Sequence, residues 1–288
     1  MKYLLQILIL LLTFSSCIKN NPTPTWLEIQ PWELKPNGTG NEGQWESISS
    51  NFTDAYVIID NKIIGFFELP VKLPILQTGD LKIEIYPAIR NNGISATKKV
   101  YPFCNSHKVS KLFSPGNEIS ISPITTYYTE ANFWIEDFEV ASSKLQTATD
   151  YPANVLSLSS DKSVVKYGNQ CAKIHLTQKD SIWVGKTLSN LNLPKGKDVY
   201  LEMDYKNDLN ILTGVLSYSS LNGFKSNPNI QLNSQPFAQM QWKKIYIELK
   251  EIVSYSVNAT LFETYFRIEL PESKSEGIVY IDNLKIVY

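Results

Sequence analysis

The residues best placed for chemistry are carboxylates, gathered in "WIEDFE" (Trp134 to Glu139) and "YIDN" (Tyr280 to Asn283). Along an extended strand alternate side chains share a face, so Asp137 and Glu139 fall together and Glu136 falls opposite. By the same alternation Asp282 joins Ile278, Tyr280, Leu284 and Ile286, a lone acid in an apolar row. Burying an unpaired charge is costly, so Asp282 needs a partner, either backbone N–H groups or a Lys or Arg. The chain holds two histidines, His107 and His175, and no HExxH, GxSxG, CxxC or glycine-rich phosphate loop. His175 is expected on a strand, facing a loop or solvent.

A second chemistry is stacking. Exposed Trp and Tyr offer sugar rings an apolar face with a hydrogen-bonding edge. In "SIWVGK", Ser181, Trp183 and Gly185 share one face and Ile182 and Val184 the other. If Ile182 and Val184 are core, Trp183 points outward as a ligand platform, with Tyr205 and Tyr218 at strand ends bordering it. The alternative for Trp183 is packing at an edge or between domains. Trp134 and Trp242 read as packing residues. Trp26, Trp32 and Trp45 either pack on the first domain or meet a membrane-protein partner. Cys104 and Cys171 read as free packed thiols, because a disulfide demands close Cα approach.

The elements that must position these groups are strands. In a chain of 288 residues, 43% are hydrophobic and 12% aromatic, with 16 Tyr and 6 Trp. That composition suits β-structure, and no long apolar period of a helix follows the N-terminus. Charges nearly cancel, 27 basic against 28 acidic, so no field exists to gather nucleic acid. "DAYVIID-NK-IIGFFELP" reads as a hairpin turning at Asp60, Asn61 and Lys62. "LKIEIYP" alternates as a half-buried strand. Six or seven short strands between 26 and 128 predict a small β-sandwich. Eight or nine more between 129 and 288 predict a jelly-roll sandwich.

The N-terminus, "MKYLLQILILLLTFSSC", places Lys2 before an apolar run too short to span a bilayer, which needs about 20 residues. Ser15, Ser16 and Cys17 resemble the lipobox of bacterial lipoproteins, and the "FSSC" form resembles those of the Bacteroidota. The resemblance implies a signal peptide over 1–17, lipidation (palmitate) of Cys17, a tether over 18–25 and outer-membrane anchoring, periplasmic or surface-facing. "DSI" from Asp180 to Ile182 resembles the O-glycan attachment site of the same phylum, with Ser181 as acceptor. A glycan there would obstruct Trp183 as a platform.

Tyr56 to Asp60, Ile64-Gly65, Leu69-Pro70, Gly79 and Leu81 to Ile85 resemble PEGA-type and related immunoglobulin-like modules, which implies a spacer or interaction platform. "DFE", "YGNQCAKI", "DVYLEMDYK", "WKKIYIEL" and "YIDNLKI" together resemble the jelly rolls of carbohydrate-binding modules. That resemblance implies a structural calcium ion joining the first strand to the last, with Asp137, Glu139 and Asp282 as ligands. Calcium takes six to eight oxygens, and Asn283 stands where such modules often carry a second Asp. Jelly-roll glycanases carry E-x-D-x-x-E, a spacing that "EDFE" lacks.

The function expected is therefore non-catalytic binding of a glycan or an envelope protein through the jelly roll. Two alternatives stand beside it: an accessory adaptor of an outer-membrane secretion, uptake or barrel-assembly machine, and a glycan-active hydrolase.

Overall fold

The computed structural model describes residues 22–36, 49–140, 142–151, 155–188 and 190–288. Cys17, the signal segment, the first half of the tether (18–21) and Trp45 lie outside the described residues. No helix among the described residues is long and apolar enough to cross a membrane. Among the described residues strands take up 54% and helix 4%, so the all-β expectation holds.

The first sandwich runs through β1 (Thr25–Ile29), β2 (Glu33–Leu34), β3 (Asp54–Ile59), β4 (Lys62–Glu68) and β5 (Val71–Ile75). It continues with β6 (Gly79–Arg90), β7 (Lys98–Val100), β8 (His107–Phe113), β9 (Glu118–Ile121) and β10 (Ile124–Thr125). One sheet has the order β4-β3-β6-β7, with β8 also on β6; the other has the order β5-β1-β9. Leu27, Ile29, Val57, Ile59, Ile83, Ile85 and Phe113 fill the space between them. The expected β3–β4 hairpin forms, and Asp60 and Asn61 take φ of 47° and 62°, the left-handed pair that a two-residue turn needs.

The second sandwich begins with β11 (Phe133–Glu136), β12 (Leu145–Thr147), β13 (Leu156–Ser159), β14 (Cys171–Thr177), β15 (Ile182–Thr187) and β16 (Tyr200–Asn207). Then come β17 (Ile211–Ser219), β18 (Gly223–Leu232), β19 (Lys243–Glu248), a short helix α1 (Lys250–Tyr255), β20 (Leu261–Glu269) and β21 (Glu276–Val287). A six-stranded sheet of order β13-β14-β21-β16-β19, with β11 on β21, faces a five-stranded sheet of order β12-β15-β20-β17-β18.

The last strand departs from simple alternation. Glu202 pairs with Lys285 and Asp204 with Asp282, so Asn283 and Leu284 together oppose Met203. Asn283 sits at φ 44°, the left-handed residue of this bulge. The bulge switches faces: Val279 and Ile281 point into the core before it, Leu284 and Ile286 after it. The predicted row of Ile278, Tyr280, Asp282, Leu284 and Ile286 therefore breaks, and Asp282 lies on the outer face of the six-stranded sheet. It is still only 1% exposed, because other segments cover that face.

Part of that cover is the first sandwich. Phe52, Ile89, Tyr101, Phe103 and Tyr127 cluster with Tyr200, Tyr246 and Val287 of the second. Within this seam the Lys285 ammonium lies 3.0 Å from the Glu202 carboxylate, which also accepts from the Tyr101 hydroxyl. Lys244 lies 3.5 Å from Glu202 and 3.3 Å from Asp204. Lys285 also donates to the Ser49 carbonyl at 2.8 Å and to the Tyr127 hydroxyl at 3.2 Å. Burial works against charge at Glu202, but Lys285 and Lys244 hold its carboxyl below the usual range. Burial pushes the Lys285 ammonium down to about 8.

Candidate functional site

Asp282 has its partners in N–H groups: Tyr167 donates at 3.2 Å and Asn283 at 2.8 Å. The donor Tyr167 belongs to the loop before β14. The same loop wraps Glu139, whose oxygens accept from Asn169 N–H at 2.6 Å, Gln170 N–H at 3.0 Å and Asn169 Nδ2 at 3.0 Å. Burial opposes ionisation of Glu139, yet these donors hold its carboxyl below the usual range. Gly168, at φ 64°, lets the loop close: a Cβ there would stand 2.3 Å from Glu139 Oε1. Burial pushes Asp282 the other way, up to about 7.

Asp137 does not join them. Its Oδ1 accepts from the Glu139 N–H at 3.2 Å, a local turn. Among the described residues no group of three His, Cys, Asp or Glu side chains stands close enough to hold a metal ion. In this arrangement Asp137 stands apart from the loop that Glu139 and Asp282 share, and the partners of Asp282 are backbone N–H groups. Glu136 is buried and accepts from the backbone N–H groups of Phe138 and Lys144, so it caps a turn.

The aromatic platform dissolves. Trp183 is fully buried, because its cross-strand partner on β20 is the core residue Ile268 and opposed residues share a face. Its indole N–H donates to Thr147 Oγ1 at 2.8 Å. The ring lies over Gly185, where a Cβ would stand 2.1 Å away. Tyr205 packs against the same core from the opposite sheet. Tyr218 sits on the outer face of the five-stranded sheet, its ring 5.0 Å from that of Phe224. The three do not form one surface. Ser181 is half-buried just before β15, and its expected competition with an exposed Trp183 falls away. His175 is exposed as expected, its Nε2 2.9 Å from Glu276 Oε2. Cys104 and Cys171 are free, buried and in different sandwiches.

A recess that sequence reasoning missed lies at one end of the second sandwich. Along β17 the inward positions read Ile211, Thr213, Val215, Ser217, Ser219, so the inner face turns from apolar to hydroxyl toward that end. On neighbouring β18 the Asn227 amide donates to the Val215 carbonyl and to Ser217 Oγ, both at 3.0 Å. Helix α1 and the loop Ser256–Ala259 close the far side. The result is a cleft of about 630 Å³, lined also by Lys225, Glu251 and Tyr255. Tyr255 is 77% exposed, an aromatic face at the rim of a polar recess. The volume suits a small ligand, and the lining offers hydroxyl, amide, ammonium and carboxylate groups together. The signal available beforehand was the alternation of "VLSYSS", in which serines continue an apolar row.

No family model and no curated protein matches the chain. Among solved structures, it is similar to the C-terminal family 22 carbohydrate-binding module of Clostridium thermocellum Xyn10B. That likeness has 12% identity and TM-score 0.39, over 53% of this chain and 90% of the other. A family 22 xylan-binding domain from Paenibacillus barcinonensis Xyn10C gives 10% and 0.38, over 54% and 94%. The family 30 module of a Clostridium thermocellum cellulosomal cellulase gives 15% and 0.34, over 54% and 90%. At such identities and TM-scores the likeness assigns no ligand to this chain.

Proposed function

We propose that this protein is a lipid-anchored envelope protein that binds a glycan, without chemistry of its own, in the polar end cleft of the second sandwich. The observation that carries the reading is the cleft's mixed lining: inward serines and a fixed asparagine amide for sugar hydroxyls, with Tyr255 at the rim for a ring face. The carboxylates that the sequence sets close together, Glu136, Asp137 and Glu139, and Asp282 with them, are engaged in turns and loops. The cleft's lining holds Glu251 where hydrolysis would use a facing pair. Cys17, the lipidation site in this reading, supplies the anchor.

Retardation of the full chain in gels containing soluble neutral polysaccharides tests the binding. Tyr255→Ala should weaken retardation about fivefold to tenfold, the loss of one stacked ring. Unchanged migration of that variant would remove the cleft from consideration. For the anchor, Cys17→Ser should abolish palmitate incorporation and move the protein from the membrane fraction to the soluble one.

The adaptor reading draws support from the aromatic seam, which holds the two sandwiches as one body suited to bridging other proteins. Recovery of the protein alone from a mild-detergent pull-down, together with retention on polysaccharide, would eliminate it.

A further inference from the structure

The outer face of the larger sheet in the first sandwich carries a row of three rings. Tyr56 on β3 stands directly opposite Phe66 on β4 and Tyr86 on β6. Ring centroids are 4.6 Å apart for Tyr56 and Phe66 and 6.2 Å apart for Tyr56 and Tyr86. Phe66 is 37% exposed, and Tyr56 and Tyr86 are half-buried. Neighbouring strands lie about 4.8 Å apart, so the row spans about 10 Å across the sheet. The inward side chains of these strands already fill the core, which leaves the ring row without a packing role inside the sandwich.

Polar groups border the row on both sides. On one side Glu84 Oε1 accepts from the Tyr86 hydroxyl, Ser106 Oγ and Lys108 Nζ, each at 2.8 Å. Glu84 and Lys108 also line a recess of about 390 Å³ with Asn61, Lys82 and Ser110. On the other side Arg90 lies 2.8 Å from Glu68 and 3.4 Å from Asp54, and Lys98 pairs with Asp54 too. On the first border Glu84 and Asp60, whose Oδ1 accepts from the Lys82 N–H at 2.8 Å, stand among Lys82 and Lys108. On the second Asp54 and Glu68 stand among Arg90 and Lys98. Acids and bases are thus matched two against two on each side, and neither border gathers a field of one sign for a polyanion, an acidic peptide or an anionic membrane. Aromatic faces beside neutralised hydrogen-bonding groups match an uncharged polyhydroxyl chain, which has apolar ring faces and a rim of hydroxyls.

We propose that this face is a second carbohydrate-binding surface, taking an uncharged oligosaccharide across Phe66, Tyr56 and Tyr86, with Glu84 and Lys108 bonding its hydroxyls. It lies on the other sandwich from the end cleft and stands or falls separately from it. Two surfaces on one rigid body would engage a single polysaccharide together and raise its apparent affinity.

The test uses the full chain in gels containing neutral arabinoxylan, β-1,4-galactan or mixed-linkage β-glucan. The variants are Tyr56→Ala/Phe66→Ala, Phe66→Ala alone, Tyr255→Ala, and all three changes combined. On at least one gel the ring variants should reduce retardation at least fivefold, and the combined variant should migrate as it does without polysaccharide. Phe66→Ala, at an exposed position, carries the test if the double variant fails to fold as judged by its melting curve. The proposal is overturned if folded ring variants are retarded like the parent, or if no gel retards the parent. It is equally overturned if the ring variants keep full retardation but lose an envelope protein that co-purifies with the parent. Loss in the ring variants with none in Tyr255→Ala would uphold this surface and reject the end cleft.

Discussion

At the scale of single residues, Asp282 shows how far identity alone goes. Its carboxyl is pushed by burial up to about 7, against about 3.8 in an unfolded chain. The folded protein holds this proton more tightly than the unfolded chain does. Stability from this source is therefore complete below about pH 4 and is lost as pH rises through 7. Asp282→Asn removes the titration while retaining an acceptor oxygen. The parent should lose on the order of 2–4 kcal/mol relative to this variant between pH 4.5 and pH 8, read from urea midpoints. A chelator should leave the melting temperature of both unchanged. That Asp282 needed partners was legible from its apolar neighbours. That the partner is Tyr167 N–H, 115 residues away, was not, because alternation says nothing about which loop folds over a sheet.

At the scale of elements, two local devices decide what faces where. The β21 bulge moves Asp282 and Lys285 to one side of the sheet, although they are three residues apart and strict alternation would separate them. The Tyr167–Gln170 turn depends on Gly168, which needs both its positive φ and the absence of a side chain beside Glu139. Gly168→Ala should cost at least 1 kcal/mol in equilibrium unfolding, and a cost within error of zero would show that the loop is free to move away. Trp183 makes the same point through pairing. The split of "SIWVGK" into two faces was correct, but choosing the inward face required knowing that β20 lies alongside with Ile268 and Phe266.

At the scale of the whole molecule, the seam between the sandwiches couples them. Glu202 and Lys285 are both fully buried there, among tyrosines from each side. Removing Lys285 leaves the buried Glu202 carboxylate with Lys244, 3.5 Å away, as its remaining ion partner, at a cost of up to about 3–5 kcal/mol. Lys285→Met should therefore lower the denaturation midpoint sharply. In the parent, probes on either sandwich should report one coincident transition. Separate transitions in the parent would mean that the seam contributes little to holding the two together.

The sequence by itself determined an all-β chain, its two runs of strands, the Asp60-Asn61 hairpin and the packed role of Trp134. These follow from side-chain period and turn chemistry, which act over a few residues. Only the tertiary structure decided that Trp183 is buried, that Glu139 and Asp282 share one loop, and that a hydroxyl-lined cleft opens beside Tyr255. The tyrosine seam around Glu202 and Lys285 belongs with these. Each depends on which distant strand or loop covers a given face, and a strand's alternation reads the same whichever of its faces is covered.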